Sequence, residues 1–367
     1  MDFVTAVVGT GFMGRVHMEA LRRLGNVECF AISGHDEGSY RKALQNPAVD
    51  CVHICTPNAL HAGQVSAALD AGKHVLCEKP LTTSIKDAER LESLAQSAKR
   101  RNCTNYNLRF YPMVQQMRRM RQDGDLGEVL IVQGTYSQDW LLYDSDWNWR
   151  VRSQEGGPSR VLADIGSHWC DMAEHITGQR ITAVCADLQI FHKKRRPSSG
   201  ETFQVTAPRE NNPSLPVETE DFASILFQMG ERTRGAYTAS QVSAGRKNQL
   251  RIEIYGTKSS VAWDGERPNE LWIGHRDISN QITIKDPALL KPAAKSYADQ
   301  PGGHAEGYGD TFKQIFRRFY DSISHPESTP EYPVFADGLR QLRIIDAELE
   351  SHRCRSWIEV PASYQRR

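Results

Sequence analysis

The sequence predicts an α/β chain of two domains: a doubly wound parallel sheet at the N-terminus, then an α+β domain with an open, mostly antiparallel sheet. Three observations carry this. Over residues 1–105, short β-branched runs alternate with helical stripes, the pattern of parallel strands joined by crossover helices. Beyond Tyr106, strand-like runs follow one another with tight connections, the pattern of antiparallel pairing. A chain of 367 residues also suffices for two cores of ordinary size. The expected domains are residues 1–105 and 106–367, with a helix near 335–351 expected to pack back on the first.

Phe3 to Val8 reads as the first strand. Met13, Val16, Ala20, Leu21 and Leu24 then recur at helical spacing, and Gly25 follows as a C′ residue. Val27 to Ser33, Cys51 to Thr56 and His74 to Cys77 read as further strands. Asn58 is read as the N-cap of a helix ending at Ala71 before Gly72, and Ser84 with Asp87 opens another, with Ile85, Ala88, Leu91, Leu94 and Ala98 on its apolar face. Only 17 residues separate Ser33 from Cys51, short for a full crossover, so an irregular connection is expected there. In the second domain Pro112 suits a first helical turn, and Val114, Met117 and Met120 line its helix. Strands are expected at Val129 to Ser137, Phe222 to Met229, Gly235 to Val242, Gln249 to Tyr255, Ser259 to Trp263 and Glu270 to Ile273. The polar, proline-broken stretch Lys193 to Asp221 reads as a long excursion or a partner-contacting arm.

Composition narrows the partners. The 45 basic and 45 acidic residues cancel, so no overall field attracts a nucleic acid or an anionic bilayer, and a small neutral ligand fits better. The basic run His192 to Arg196 has no aromatic ladder beside it and reads as a solvated loop. No apolar run reaches a spanning length and no signal-type stretch opens the chain, so a cytoplasmic protein without membrane contact is expected. The eight cysteines lack metal or redox spacing and read as reduced thiols, several of them in the core.

The chemistry starts at Gly9-Thr10-Gly11-Phe12-Met13-Gly14, a G-x-G-x-x-G run between the first strand and the first helix. There the first glycine permits the turn, the second a close approach by pyrophosphate and the third tight helix–strand packing, so a dinucleotide-binding Rossmann domain is expected. Ser33 occupies the place where an acidic residue would grip the adenosine ribose. Asp36 comes late, and His35, Arg41 and Lys42 stand near enough to meet a 2′-phosphate, so either NAD or NADP is expected. Two later strands end in Cys55-Thr56-Pro57-Asn58 and Cys77-Glu78-Lys79-Pro80, which places these polar groups where ligands lie in open parallel sheets. Lys79, between a buried strand and a proline, sits on a short rigid tether.

The glycine run, Thr56-Pro57-Asn58, Glu78-Lys79-Pro80 and Asp164-Ile165-Gly166-Ser167-His168 together resemble the glucose–fructose oxidoreductase, inositol dehydrogenase and MocA family over nearly the whole chain. The resemblance implies a dinucleotide-dependent dehydrogenase that oxidises a ring hydroxyl of a sugar, anhydrosugar, glycoside or inositol, works as a homo-oligomer, and is most like the sugar-oxidising members. It implies cofactor contacts from Gly9, Gly11, Phe12, Met13, Gly14, Ser33, Thr56, Pro57, Asn58, His61, Glu78, Lys79 and Asn107. A helix over Asp164 to Ile176 would stack Asp164 and His168 at i, i+4, with Asp171 and His175 continuing the stripe. That pattern alone fits a plain helical turn, a metal site of Asp164, His168 and Asp171, or an acid–base pair, and the resemblance favours the pair. A histidine with a pKa of about 6.5 is a competent base. The implied catalytic set is Lys79, Asp164 and His168: His168 takes the hydroxyl proton, Lys79 stabilises the oxygen and Asp164 orients the imidazole, without a metal.

Sugar contacts are expected from Lys79, Asn105, Tyr111, Gln138, Trp140, Arg150, Asp164, His168 and His304, with Asn107, Arg109 and Trp147 to Trp149 as further candidates. Two other classes share the family pattern: a glycosidase that oxidises and re-reduces its substrate with no net cofactor turnover, and a non-catalytic dinucleotide-dependent regulator. The regulator would be expected to lack the Lys79, Asp164 and His168 set.

Overall fold

The computed structural model describes residues 2–197 and 213–361, so residues 198–212 of the expected excursion lie outside the described residues. The chain divides into two compact units. The first comprises residues 1–107, 152–158 and 309–342; the second comprises 108–151, 159–308 and 343–367.

In the first unit, strands β1 (Phe3–Val8), β2 (Val27–Ile32), β3 (Cys51–Ile54), β4 (His74–Cys77) and β5 (Asn102–Thr104) form one parallel sheet in the order β2-β1-β3-β4-β5. Ala6, Val7, Val8, Val52, Ile54, Val75 and Leu76 have no exposed surface, which is why these strands read as continuous apolar runs rather than alternating ones. Helix α1 (Phe12–Leu24) ends at Gly25 in the left-handed conformation, as its spacing predicts.

The connection after β2 corrects one expectation. A regular helix, α2 (Glu37–Gln45), occupies it between two short turns, because Asp36 caps the helix through Ser39 N–H and nine residues suffice to cross the sheet face. The cap of α3 (Asn58–Asp70) also differs. Pro57 occupies the N-cap position, and the Asn58 amide donates instead to Gly156 O at 2.8 Å. Helix α4 (Ile85–Ala98) starts as expected, with Ser84 accepting from Asp87 N–H.

The second unit holds a nine-stranded sheet in the order Gln281–Ile284, Glu270–Gly274, Ser260–Asp264, Gln249–Gly256, β6 (Val129–Ser137), Thr233–Ser240, Phe222–Met229, β7 (Ile181–Gln189) and Ile358–Glu359. Only β6 and Thr233–Ser240 pair in parallel; the other neighbours are antiparallel. Helix α5 (Pro112–Gln122) starts with its proline in the first turn. The helix Ser167–Thr177 is buried along nearly its whole length, with Trp169 stacked on Tyr237 and its indole N–H donating to Arg251 O at 3.0 Å. The opposite sheet face leaves Ile131 and Leu226 about half exposed.

Candidate active site

In the first unit the strand order reverses between β1 and β3, and the chain leaves these two strands through Gly9 and Cys55. The loops touch: a Cβ at Gly9, where φ is +111°, would lie 2.5 Å from Cys55 O. A Cβ at Gly14 would lie 1.8 Å from Gly9 O, so only glycine lets α1 start this close to the strand. At Gly11 a Cβ would meet nothing within 4 Å, which leaves the loop open where a pyrophosphate would approach. No side chain caps α1, and its first turn carries no acidic residue. The cradle fits a dinucleotide phosphate.

Around the carboxyl ends of β3 and β4 the polar groups are tied together. Thr56 Oγ1 donates to Gln64 at 2.6 Å, and Gln64 reaches Gly34 O at the end of β2. Ser33 is exposed, whereas Asp36 is engaged as the cap of α2. His61, expected among the cofactor contacts, is fully buried, with its two ring nitrogens each 2.9 Å from a carbonyl, those of Pro80 and Thr56. It clips the two loops together. Burial holds its pKa below the ordinary value against the pull of those carbonyls.

Glu78 is buried, and its Oε1 accepts from His17 Nε2 at 2.9 Å and from Asn105 Nδ2 at 2.5 Å. Its Oε2 accepts the Lys79 N–H at 3.3 Å. Burial pushes the Glu78 carboxyl up, but the His17 and Asn105 hydrogen bonds and the Lys79 charge bring it below the usual carboxylate value. Asn105 is enclosed, with its amide nitrogen on Glu78. Lys79 itself is half-buried, at a cis bond to Pro80. Asn107 is also buried, with its amide on Thr311 Oγ1 at 2.7 Å.

In the second unit, a π-helical turn over Leu162–Gly166 leads into the helix Ser167–Thr177. The regular i, i+4 stacking expected of Asp164 and His168 is therefore interrupted, because a π turn inserts an extra residue. Asp164 is held by Arg150 Nε at 3.2 Å and by the Gln241 amide at 2.7 Å, and His168 is buried. Asp171 takes both arms of Arg109, which assigns that arginine to an ion pair rather than to a sugar. His175 is held well below its ordinary pKa by burial and by Arg109 and Arg118.

Among the remaining candidates, the Gln138 amide donates to Asn248 while its carbonyl accepts from Trp140 Nε1 at 2.8 Å. Trp140 and Trp147 pack on a small core of Leu141, Val151 and Val217. Tyr111 is buried against Trp263, and the Arg150 guanidinium lies 4.4 Å over Trp149. His304 is exposed, in a loop whose carbonyls are held by the buried Lys285 ammonium. Gln241, which fixes Asp164, and His17, which fixes Glu78, were not anticipated. A histidine within the apolar stripe of α1 was the available signal for His17.

Comparison with known proteins places these features in a family. Residues 30–106 match the model of an oxidoreductase family with an NAD-binding Rossmann fold, and residues 114–262 match the GFO/IDH/MocA C-terminal domain. A levoglucosan dehydrogenase of Pseudarthrobacter phenanthrenivorans is 30% identical over 355 residues, covering 94% of this chain and 86% of that one. The chain belongs to the GFO/IDH/MocA family. An oxidoreductase domain protein from Kribbella flavida superposes with a TM-score of 0.86 at 29% identity, covering 98% of this chain and all of that one. A levoglucosan dehydrogenase in complex with NADH and levoglucosan superposes with a TM-score of 0.87 at 26% identity, covering 99% and 100%. This GFO/IDH/MocA member is an NAD-binding oxidoreductase of the sugar or inositol dehydrogenase type. No helix among the described residues is long and apolar enough to cross a membrane.

Proposed function

We propose that this enzyme oxidises a ring hydroxyl of a pyranose-type sugar, an anhydrosugar foremost, to the ketone, with NAD+ as the hydride acceptor. The observation that carries the reading is Lys79, a half-buried ammonium at the carboxyl end of β4 whose backbone is pinned by the buried Glu78 carboxylate. Such a cation is suited to an oxygen that gains negative charge, since little reorganisation is needed when the charge develops. We assign His168 the removal of the hydroxyl proton. Asp164, itself fixed by Arg150 and Gln241, has the part of orienting that imidazole. Gly9, Gly11, Gly14 and Thr56 would hold the dinucleotide, which when bound supplies the acceptor for hydride.

Names of relatives that act on levoglucosan, and of structures that hold NADH, support the choice of sugar class and coenzyme. The half-exposed Ile131 and Leu226 on the open sheet face support assembly into a homo-oligomer. The test is a panel of anhydrosugars, pyranoses and cyclitols assayed for NADH, repeated with Lys79→Met and His168→Ala. Turnover is expected to fall by at least about a hundredfold in each variant while NADH affinity stays within about threefold. Near-normal turnover in both refutes the assignment.

A further inference from the structure

Beneath the Glu78-Lys79 turn, the first unit encloses a line of polar side chains that the proposed reaction does not use. Glu78 Oε1 meets His17 Nε2 at 2.9 Å, and His17 Nδ1 meets His53 Nδ1 at 3.1 Å. His53 Nε2 meets the Tyr320 hydroxyl at 3.1 Å, which meets Thr5 Oγ1 at 2.6 Å. His17, His53 and Thr5 have no exposed surface and Tyr320 has 2%. Phe312 and Phe316 pack on the His17 ring, and Phe316 and Phe319 on the His53 ring. Because the far end is buried as well, the line does not conduct protons to solvent. What it can do is polarise.

An ionised carboxylate only accepts, so it requires a proton on His17 Nε2. If His17 carries that proton alone, its Nδ1 is an acceptor, and the short contact then requires the proton of His53 to be on Nδ1. His53 Nε2 must in turn accept from the Tyr320 hydroxyl, whose oxygen accepts from Thr5. Every link is satisfied and each donor points toward Glu78. The opposite polarity also satisfies each link, either by adding an imidazolium to a shell of aromatic rings, which is costly when one anion, Glu78, already faces one cation, Lys79, or by protonating Glu78, which the Asn105 amide and the Lys79 N–H donating to the same carboxylate disfavour.

We propose that Thr5, Tyr320, His53 and His17 form one polarised hydrogen-bond chain, every donor aimed at Glu78, that keeps this carboxylate an anion and thereby positions the backbone of Lys79. His17 and His53 are positioning residues. The proposal rests on the catalytic reading of Lys79 for its consequence in turnover, but not for its geometry. Burial and the neighbouring His17 hold His53 well below its ordinary pKa, in keeping with a neutral ring. The titratable groups facing Glu78 are His17 from α1, His61 from α3, Cys55 after β3, Cys77 from β4 and its own neighbour Lys79. Lys79 supplies the one positive charge in this set, and the Asn105 amide adds a neutral donor.

The direct test is proton–nitrogen correlation through the imidazole rings of nitrogen-labelled full-length protein, assigned with His17→Gln and His53→Gln. The expected pattern near neutral pH is His17 protonated at Nε2 only and His53 at Nδ1 only. A doubly protonated His17, the reversed pair with His17 protonated at Nδ1 and His53 at Nε2, or the same tautomer at both rings overturns the chain. The second readout is the pH profile of kcat/KM. Removing a hydrogen bond to a charged group raises the Glu78 titration, so His17→Leu is expected to move the acid limb up by about one to two pH units. It should lower kcat more than it raises KM for the dinucleotide. His17→Gln keeps a donor for Glu78 and is expected to return most of the shift. An unmoved limb in a folded leucine variant contradicts the proposal. If that variant does not fold, Tyr320→Phe, which removes one oxygen, is read instead: a smaller upward shift is expected and none overturns it. Full turnover in Lys79→Met would defeat the catalytic reading alone, since the tautomer pattern would still decide the chain.

Discussion

Glu348 offers a stability prediction whose size can be worked from its surroundings. In the helix Phe335–Cys354 it is fully buried, accepting from the Tyr237 hydroxyl at 2.7 Å with Cys170 Sγ 4.0 Å away. Burial pushes its carboxyl up to about 8, against the Tyr237 hydrogen bond and with help from Glu220. In the unfolded chain the same group titrates near 4.5. Below that pH both states hold the proton and nothing is lost. As pH rises toward 8 the unfolded state releases its proton first, so stability falls by about 1.4 kcal/mol per unit, or about 5 kcal/mol over the window. Glu348→Gln keeps the shape and the acceptor for Tyr237 but does not titrate. The variant is expected to gain on the parent by about 1.4 kcal/mol per pH unit between pH 5 and 8. Urea unfolding followed by tryptophan fluorescence measures this cleanly, because all seven tryptophans lie in the second unit, which also holds Glu348. Parallel stability curves for parent and variant would refute the reasoning.

Other perturbations test the loop and the second unit. Gly14→Ala places a Cβ 1.8 Å from Gly9 O, so the glycine loop must shift at a cost of about 1–3 kcal/mol. Calorimetric titration should show NADH affinity weakened by at least about tenfold, and unchanged affinity would show that the loop does not hold the dinucleotide. Asp221 accepts from Arg160, from Arg195 and from the backbone N–H groups of Phe191 and His192, and the two guanidiniums and the carboxylate are fully buried. Asp221→Asn leaves two buried cations short of their counter-charge and is expected to cost about 3–5 kcal/mol. A melting temperature within a degree or so of the parent would contradict that.

Much of the fold was readable because the residues state their surroundings twice, in period and in punctuation. Phe222–Met229 alternates buried and less buried positions along its whole length, and Ser84 with Asp87 announces α4 by cap chemistry. β7 was missed, since its β-branched start at Ile181, Thr182 and Val184 is diluted by Ala183, Cys185, Ala186 and Asp187, and its place is set by pairing with Phe222–Met229. The connection after β2 was misjudged from length alone, although Asp36 and Ser39 carried a cap. At the candidate site, the glycine loop and the Glu78-Lys79-Pro80 turn were legible because backbone constraints leave their mark in residue type. The parts played by Asn105, His61 and Arg109 were not, because a polar side chain does not reveal whether its partner is a ligand or a buried carboxylate. The π turn before His168 likewise depends on the packing around it.

The proposed activity moves hydride from a ring carbon of a sugar to NAD+ as a net reaction. The most direct measurement uses the best sugar of the panel, deuterated at the carbon that is oxidised, and follows the label by mass spectrometry alongside the keto product. One labelled NADH is expected for each keto sugar formed. Glycoside cleavage with no NADH released, or a keto product whose deuterium is lost to water, would contradict it.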